Sequence, residues 1–190
     1  DTCVFKVLLC QCNVACNALA AVVVGATQEA QVCVAGIVGG AFKTTTEFSN
    51  ITNCVNNGTI TFSDTVLSET NKARTWLAGV VASVNSSNDG INLSGNTNNG
   101  DISVSSTLRG GTNYIAGIAG YTSSTKTTTP ALISNCTNKG AISVTSSSTA
   151  DLWVAGIVGY AVGTQAENSH NYGALSVGSQ ENPTLIIGRI

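Results

Sequence analysis

Asn135-Cys136-Thr137-Asn138-Lys139-Gly140-Ala141-Ile142 is one of four copies of a single eight-residue pattern. The others are Asn53-Cys54-Val55-Asn56-Asn57-Gly58-Thr59-Ile60, Gly95-Asn96-Thr97-Asn98-Asn99-Gly100-Asp101-Ile102 and Asn168-Ser169-His170-Asn171-Tyr172-Gly173-Ala174-Leu175. Their glycines stand 42, 40 and 33 residues apart, so the chain is a repeat array. A second motif alternates with the first: Ala35-Gly36-Ile37-Val38-Gly39, Ala78-Gly79-Val80-Val81-Ala82, Ala116-Gly117-Ile118-Ala119-Gly120 and Ala155-Gly156-Ile157-Val158-Gly159, with a degenerate copy at Ile187-Gly188-Arg189-Ile190.

Each corner leads into a strand, because Gly58-Thr59-Ile60-Thr61-Phe62-Ser63 alternates polar and apolar with a period of two. The inward column is then Ile60, Ile102, Ile142 and Leu175, followed by Phe62, Val104, Val144 and Val177, while Ser103, Ser143 and Ser176 face water. Ser- and Thr-rich connectors such as 63–75 and 121–131 absorb the differing repeat lengths as surface loops. Two or three short strands per repeat and Asn-x-Gly corners predict an all-β fold, a parallel β-helix (β-solenoid) of four to five rungs stacked about 4.8 Å apart. Asn56, Asn98, Asn138 and Asn171 are expected to align as an amide ladder, and Gly58, Gly100, Gly140 and Gly173 to supply a corner with positive φ. The repeat domain is assigned to 31–190. Residues 1–30 form an atypical, apolar, Cys-rich N-terminal segment, a cap or an eroded rung, in which Cys16 could stack under Cys54.

The Asn-Cys-x-Asn-x-Gly-x-Ile corner followed by Ala-Gly-Ile-x-Gly resembles the GLUG-type and related repeats of large bacterial cell-surface proteins, over residues 34 to 190. The resemblance implies an extracellular or cell-surface, adhesin-like or fibre-forming protein whose repeats hold no catalytic residues.

Composition narrows the partners. Charged residues are 9% of the chain and the net charge is -2, which leaves no basic footprint for nucleic acid. The run from Ala18 to Ala26 is nine residues, against about 20 for a spanning helix, so no membrane insertion is expected. With Asp1 first and no Met, the chain reads as a mature product or a fragment of something longer. Seven cysteines include Cys54 and Cys136 in one column two rungs apart, about 10 Å, beyond the roughly 7 Å reach of a disulfide, so they read as small buried fillers. Cys10, Cys12 and Cys16 match no common zinc spacing and point to an N-terminal disulfide or buried thiols; neither metal nor cofactor is expected.

Nor is catalysis. Asp101 has Thr59, Ala141 and Ala174 as its equivalents, so the paired carboxylates of a glycosidase are missing, and His170 stands at a turn without a Ser-Asp context. The binding candidate is Trp76, Tyr114 and Trp153, three aromatic residues at one repeat position. Facing outward they form an aromatic ladder for a glycan or a host-surface ligand; facing inward they are core. Their strand is apolar on both faces, so the second face needs a cover, either the N-terminal segment or another chain, approached across Gly36, Gly79, Gly117, Gly156 and Gly188. Arg189 shares the aromatic parity and hints at an outward column. Unpaired strand edges at solenoid ends invite head-to-tail or lateral self-association into a homopolymer. Five Asn-x-Ser/Thr sequons, at Asn50, Asn57, Asn85, Asn92 and Asn135, complete the reading.

Overall fold

A computed structural model describes residues 15–16, 20–23, 31–43, 49–64, 74–86, 91–106, 112–125, 130–146, 151–179 and 185–188. These hold twenty-three strands and no helix, arranged in five parallel sheets, a parallel β-solenoid. Arg189 and Cys3, Cys10 and Cys12 lie outside the described residues.

Each rung visits the five sheets in one order. The corner sheet stacks Ala15–Cys16, Val55–Asn56, Thr97–Asn98, Thr137–Asn138 and His170–Asn171. The alternating sheet follows, with Ala20–Val23, Ile60–Asp64, Ile102–Ser106, Ile142–Ser146 and Leu175–Ser179. The aromatic sheet comes third: Gln31–Ala35, Arg74–Ala78, Asn113–Ala116, Leu152–Ala155 and Leu185–Gly188. The chain then reverses into the small-residue sheet, Val38–Lys43, Val81–Ser86, Ala119–Ser124 and Val158–Val162. It returns to the corner through Ser49–Thr52, Ile91–Ser94, Ala131–Ser134 and Thr164–Glu167. Four rungs therefore contain five strands and a fifth contains three.

Five strands per rung exceed the two or three expected. The extra ones are the small-residue and return strands, and residues 121–124, expected in a loop, belong to one of them. The small-residue strands bury Ser83, Thr122, Ser123 and Ser124 beside Val81, Val84 and Ala119, so no clean apolar alternation marks them in the sequence, whereas the return strands do alternate, with Ile91 and Leu93 or Ala131 and Ile133 turned inward.

The register pairs Ile60 with Ile102, Ile102 with Ile142 and Ile142 with Leu175, the columns expected from the motif. In the first rung Cys16 pairs with Asn56 and Ala20 with Ile60, so Cys16 stands under the Asn column and not under Cys54, a shift of two residues from the sequence alignment.

Two cores result. Ile60, Phe62, Ile102, Val104, Ile142 and Val144 of the alternating sheet pack against Leu77, Ile115 and Val154 of the aromatic sheet. Val81, Val84, Ile118, Ala119 and Ile157 pack instead against Ile51, Ile91, Leu93 and Ile133 of the return sheet. The cross-section thus has two lobes. They diverge from the Asn corner, and the Ala-Gly-Ile reversal folds back between them.

Candidate functional site

The Asn corner is the axis of the molecule. Asn56 Nδ2 donates to Asn98 Oδ1 at 2.7 Å, Asn98 Nδ2 to Asn138 Oδ1 at 2.8 Å, and Asn138 Nδ2 to Asn171 Oδ1 at 2.7 Å. The second hydrogen of each amide closes its own turn: Asn56, Asn98, Asn138 and Asn171 donate to the carbonyls of Gly58, Gly100, Gly140 and Gly173, each at 2.9 Å. Asn56, Asn98 and Asn138 are fully buried, so this completeness is required, since an unpaired buried amide costs about 1–3 kcal/mol.

The corner glycines work differently from the expectation. Gly100, Gly140 and Gly173 are not left-handed; a Cβ on each would strike the carbonyl of the glycine one rung below, namely Gly58, Gly100 and Gly140. They permit close stacking. Positive φ falls at the first position of the motif, at Asn53 (54°), Gly95 (66°), Asn135 (53°) and Asn168 (47°), where asparagine and glycine are the residues that tolerate it. The glycines of the second motif differ from expectation too: a Cβ at Gly36, Gly79, Gly117 or Gly156 would strike Asn56, Asn98, Asn138 or Asn171. That column makes room for the amide ladder rather than for an outside partner.

One residue after the positive-φ position runs a second buried column, Cys54, Asn96, Cys136 and Ser169. Asn96 Oδ1 accepts from the Cys54 amide at 3.0 Å, and Ser169 Oγ from the Cys136 amide at 3.2 Å. Cys136 Sγ donates to Leu93 O, and burial pushes both thiols above the usual cysteine range. The two cysteines are buried, as expected of fillers, and Asn96 separates them.

The aromatic residues lie in the cleft between the lobes. Trp76 pairs with Tyr114 and Tyr114 with Trp153 in register, on the face opposite Leu77, Ile115 and Val154. That face is covered by the same chain. Ala82, Gly120 and Gly159 of the small-residue sheet bring the backbones together, a Cβ at Gly120 standing 3.1 Å from Leu77 N and one at Gly159 3.3 Å from Ile115 N. Neither an N-terminal cover nor a second chain is needed for it. Trp76 is buried there while Tyr114 and Trp153 are half-buried, so the column is not a bare platform.

Sequence reasoning missed two members of this cluster, Tyr121 and Tyr160, each one residue after a copy of the second motif and seven after Tyr114 or Trp153. Tyr121 stacks on Trp76 of the rung below at 4.7 Å and 7°, and Tyr160 on Tyr114 at 4.9 Å and 26°. Tyr121 and Tyr160 stack on each other at 5.7 Å, and Trp153 meets Tyr114 and Tyr160 edge-on. Burial, with the neighbouring Tyr160 and Tyr121 phenols, raises the Tyr114 pKa; Arg74 and a hydrogen bond from Thr112 pull the other way. In the second rung the tyrosine position is held by Ser83. There two buried polar atoms, Trp76 Nε1 and Ser83 Oγ, have no hydrogen-bond partner.

Asp101 Oδ1 accepts from the Ala141 amide at 2.8 Å, and His170 is exposed at the corner, 6.0 Å from Tyr172. No group of three or more His, Cys, Asp or Glu suited to a metal occurs among the described residues. No helix among them is long and apolar enough to cross a membrane. Fold and corner together define a parallel β-solenoid repeat protein built on an asparagine ladder. Comparison with known protein families, with curated proteins and with solved structures returns no match.

Proposed function

We propose that this chain is an extracellular structural or adhesive surface element without catalytic activity, a fibre or filament subunit that assembles through its solenoid ends. The observation that carries this reading is the continuity of the ladder: the same amide bond repeats across three rung interfaces with distances of 2.7 to 2.8 Å. The top amide, Asn171, is half-buried and uses one hydrogen on Gly173, so it can donate the other to an acceptor stacked above it. The strands Val158–Val162 and Thr164–Glu167 likewise offer unpaired edges among the described residues. Resemblance to GLUG-type surface repeats supports the extracellular placement and the adhesive role.

The rival, a carbohydrate-binding module stacking sugars on Trp76, Tyr114 and Trp153, draws less support, because Trp76 and Tyr114 already have ring faces occupied by Tyr121 and Tyr160. Electron microscopy and fibre diffraction over a range of concentrations test the assembly. Filaments that lengthen with concentration and diffract at about 4.8 Å along their axis are expected. Monodisperse short rods at every concentration would overturn it.

A further inference from the structure

The two lobes end at different heights. Among the described residues the corner, alternating and aromatic sheets each stack five strands, whereas the small-residue and return sheets stack four. The upper end is therefore a step, with rung five topping the first lobe and rung four the second. The step leaves the second core open. Its inward return column runs Ile51, Leu93, Ile133 and Ala166; the first three are buried, while Ala166 on the last strand is exposed, with Gln165 and Glu167 exposed beside it. A matching step is written in the sequence at the other end. At all four passages from return sheet to corner, the return strand begins six residues before the corner strand: Ser49 before Val55, Ile91 before Thr97, Ala131 before Thr137 and Thr164 before His170. The positive-φ residue stands two before the corner strand each time, at Asn53, Gly95, Asn135 and Asn168. The same count back from the first corner strand, Ala15–Cys16, gives a return strand at Leu9-Cys10-Gln11-Cys12, outside the described residues, and puts the positive-φ position at Asn13, again an asparagine.

We propose that a second copy of this chain docks on the upper end at a shift of five rungs along the axis, and that its residues 9–12 fill the step as a fifth strand of the return sheet, over Thr164–Glu167. In that position its strands Ala15–Cys16, Ala20–Val23 and Gln31–Ala35 add to the edges of His170–Asn171, Leu175–Ser179 and Leu185–Gly188. The shift is fixed by the step. Four rungs would superpose the first lobes of the two copies, and five rungs without the segment would leave the backbone edge of Thr164–Glu167 unpaired and Ala166 uncovered. A second copy is favoured over an unrelated extended peptide because its return segment arrives joined, at the constant six-residue offset, to a corner strand that pairs at the same junction. The two ends are different surfaces, so the contact is heterologous and repeats in one direction only. This inference deepens the filament reading and rests on it: it names the segment that locks one copy to the next.

The test is disulfide trapping across the junction in the full chain. Gln165→Cys places a thiol on the exposed return edge, one strand spacing of about 4.8 Å below residue 10 of the docked copy, within the Cα separation that a disulfide spans. Within one chain the two positions are four rungs apart, about 19 Å, so a link between them reports two copies. Mild oxidation of Gln165→Cys is expected to give dimers and longer multimers whose peptide maps join Cys10 to the introduced thiol, and Cys10→Ser in the same chain is expected to remove that link. Gln11→Pro, which takes a backbone N–H out of a strand that the junction makes central, is expected to abolish filaments in electron micrographs without lowering the melting temperature of the dilute chain. Multimers whose introduced thiol is not joined to Cys10, or filaments as long in Gln11→Pro as in the parent, overturn this junction and leave end-to-end assembly standing. A parent chain that stays monomeric at every concentration overturns both.

Discussion

Asn98 shows how much one side chain carries in this fold. It accepts from Asn56, donates to Asn138 and donates to Gly100, all fully or partly inside the protein. Asn98→Ala strands the Asn56 and Asn138 amides and the Gly100 carbonyl, and is expected to cost about 3–5 kcal/mol, read as a lower urea midpoint at unchanged slope. Asn171→Ala, half-buried at the last ladder position, should cost no more than about 1–2 kcal/mol; equal losses at the two sites would mean that the ladder contributes nothing through burial. Glycines divide in the same way. Gly140→Ala drives a methyl into the Gly100 carbonyl and must displace backbone, whereas Gly178→Ala meets nothing within 4 Å and should change stability by less than about 0.5 kcal/mol.

At the scale of strands, the alternating sheet was legible because Thr61, Ser103 and Ser143 face water while Ile60, Ile102 and Ile142 are fully buried, a clean period of two. The small-residue strands were not, since Ser83, Thr122 and Ser124 are buried without being apolar and Tyr121 is half-buried in the cleft against Trp76 rather than in the core. What marks them is the reversal at Gly79 and Gly117, and glycine in a repeat is ambiguous between turn, left-handed corner and close approach. That ambiguity also misplaced the positive φ, which falls at Asn135 rather than at Gly140. The aromatic site was half legible: Trp76, Tyr114 and Trp153 recur in register, but their partners Tyr121 and Tyr160 come from a strand whose return path across the cleft no local pattern specifies. The buried Cys54 and Cys136 add a prediction at this scale. Burial raises both thiol pKa values in the fold, so at pH above the ordinary thiol pKa of about 8.5 the unfolded chain gives up these protons while the folded one keeps them. Their contribution is therefore intact below about pH 8 and declines as pH rises past the unfolded value. Urea midpoints between pH 7 and 10 should fall, and the fall should be smaller in Cys54→Ser/Cys136→Ser than in the parent; an identical pH slope in both would exclude the thiols as its source.

For the whole molecule, each rung touches only its neighbours, so stability sums over rungs and interfaces rather than growing from one centre. The burial pattern grades accordingly. Ile102, Ile115, Ile118 and Ile142 in the middle rungs are 1% exposed or less, while Leu175 and Val177 in the fifth rung are half-buried and Val162, on the last strand of its sheet, is 40% exposed. An end rung has one interface to lose and a middle rung two, so opening an end costs less than opening the centre. Native-state hydrogen exchange should therefore show amides of Ile102, Ile115 and Ile118 exchanging at the global unfolding free energy, and those of Leu175 and Val177 through a smaller local opening. The gradient follows from one-dimensional stacking alone and reports on assembly as well. If copies stack end to end as proposed, raising the protein concentration buries the fifth rung under a neighbour and should slow exchange at Leu175 and Val177 while leaving Ile102 and Ile118 unchanged. Uniform protection along the chain at low concentration would show instead that the two lobes unfold as one cooperative unit, with no rung able to open alone.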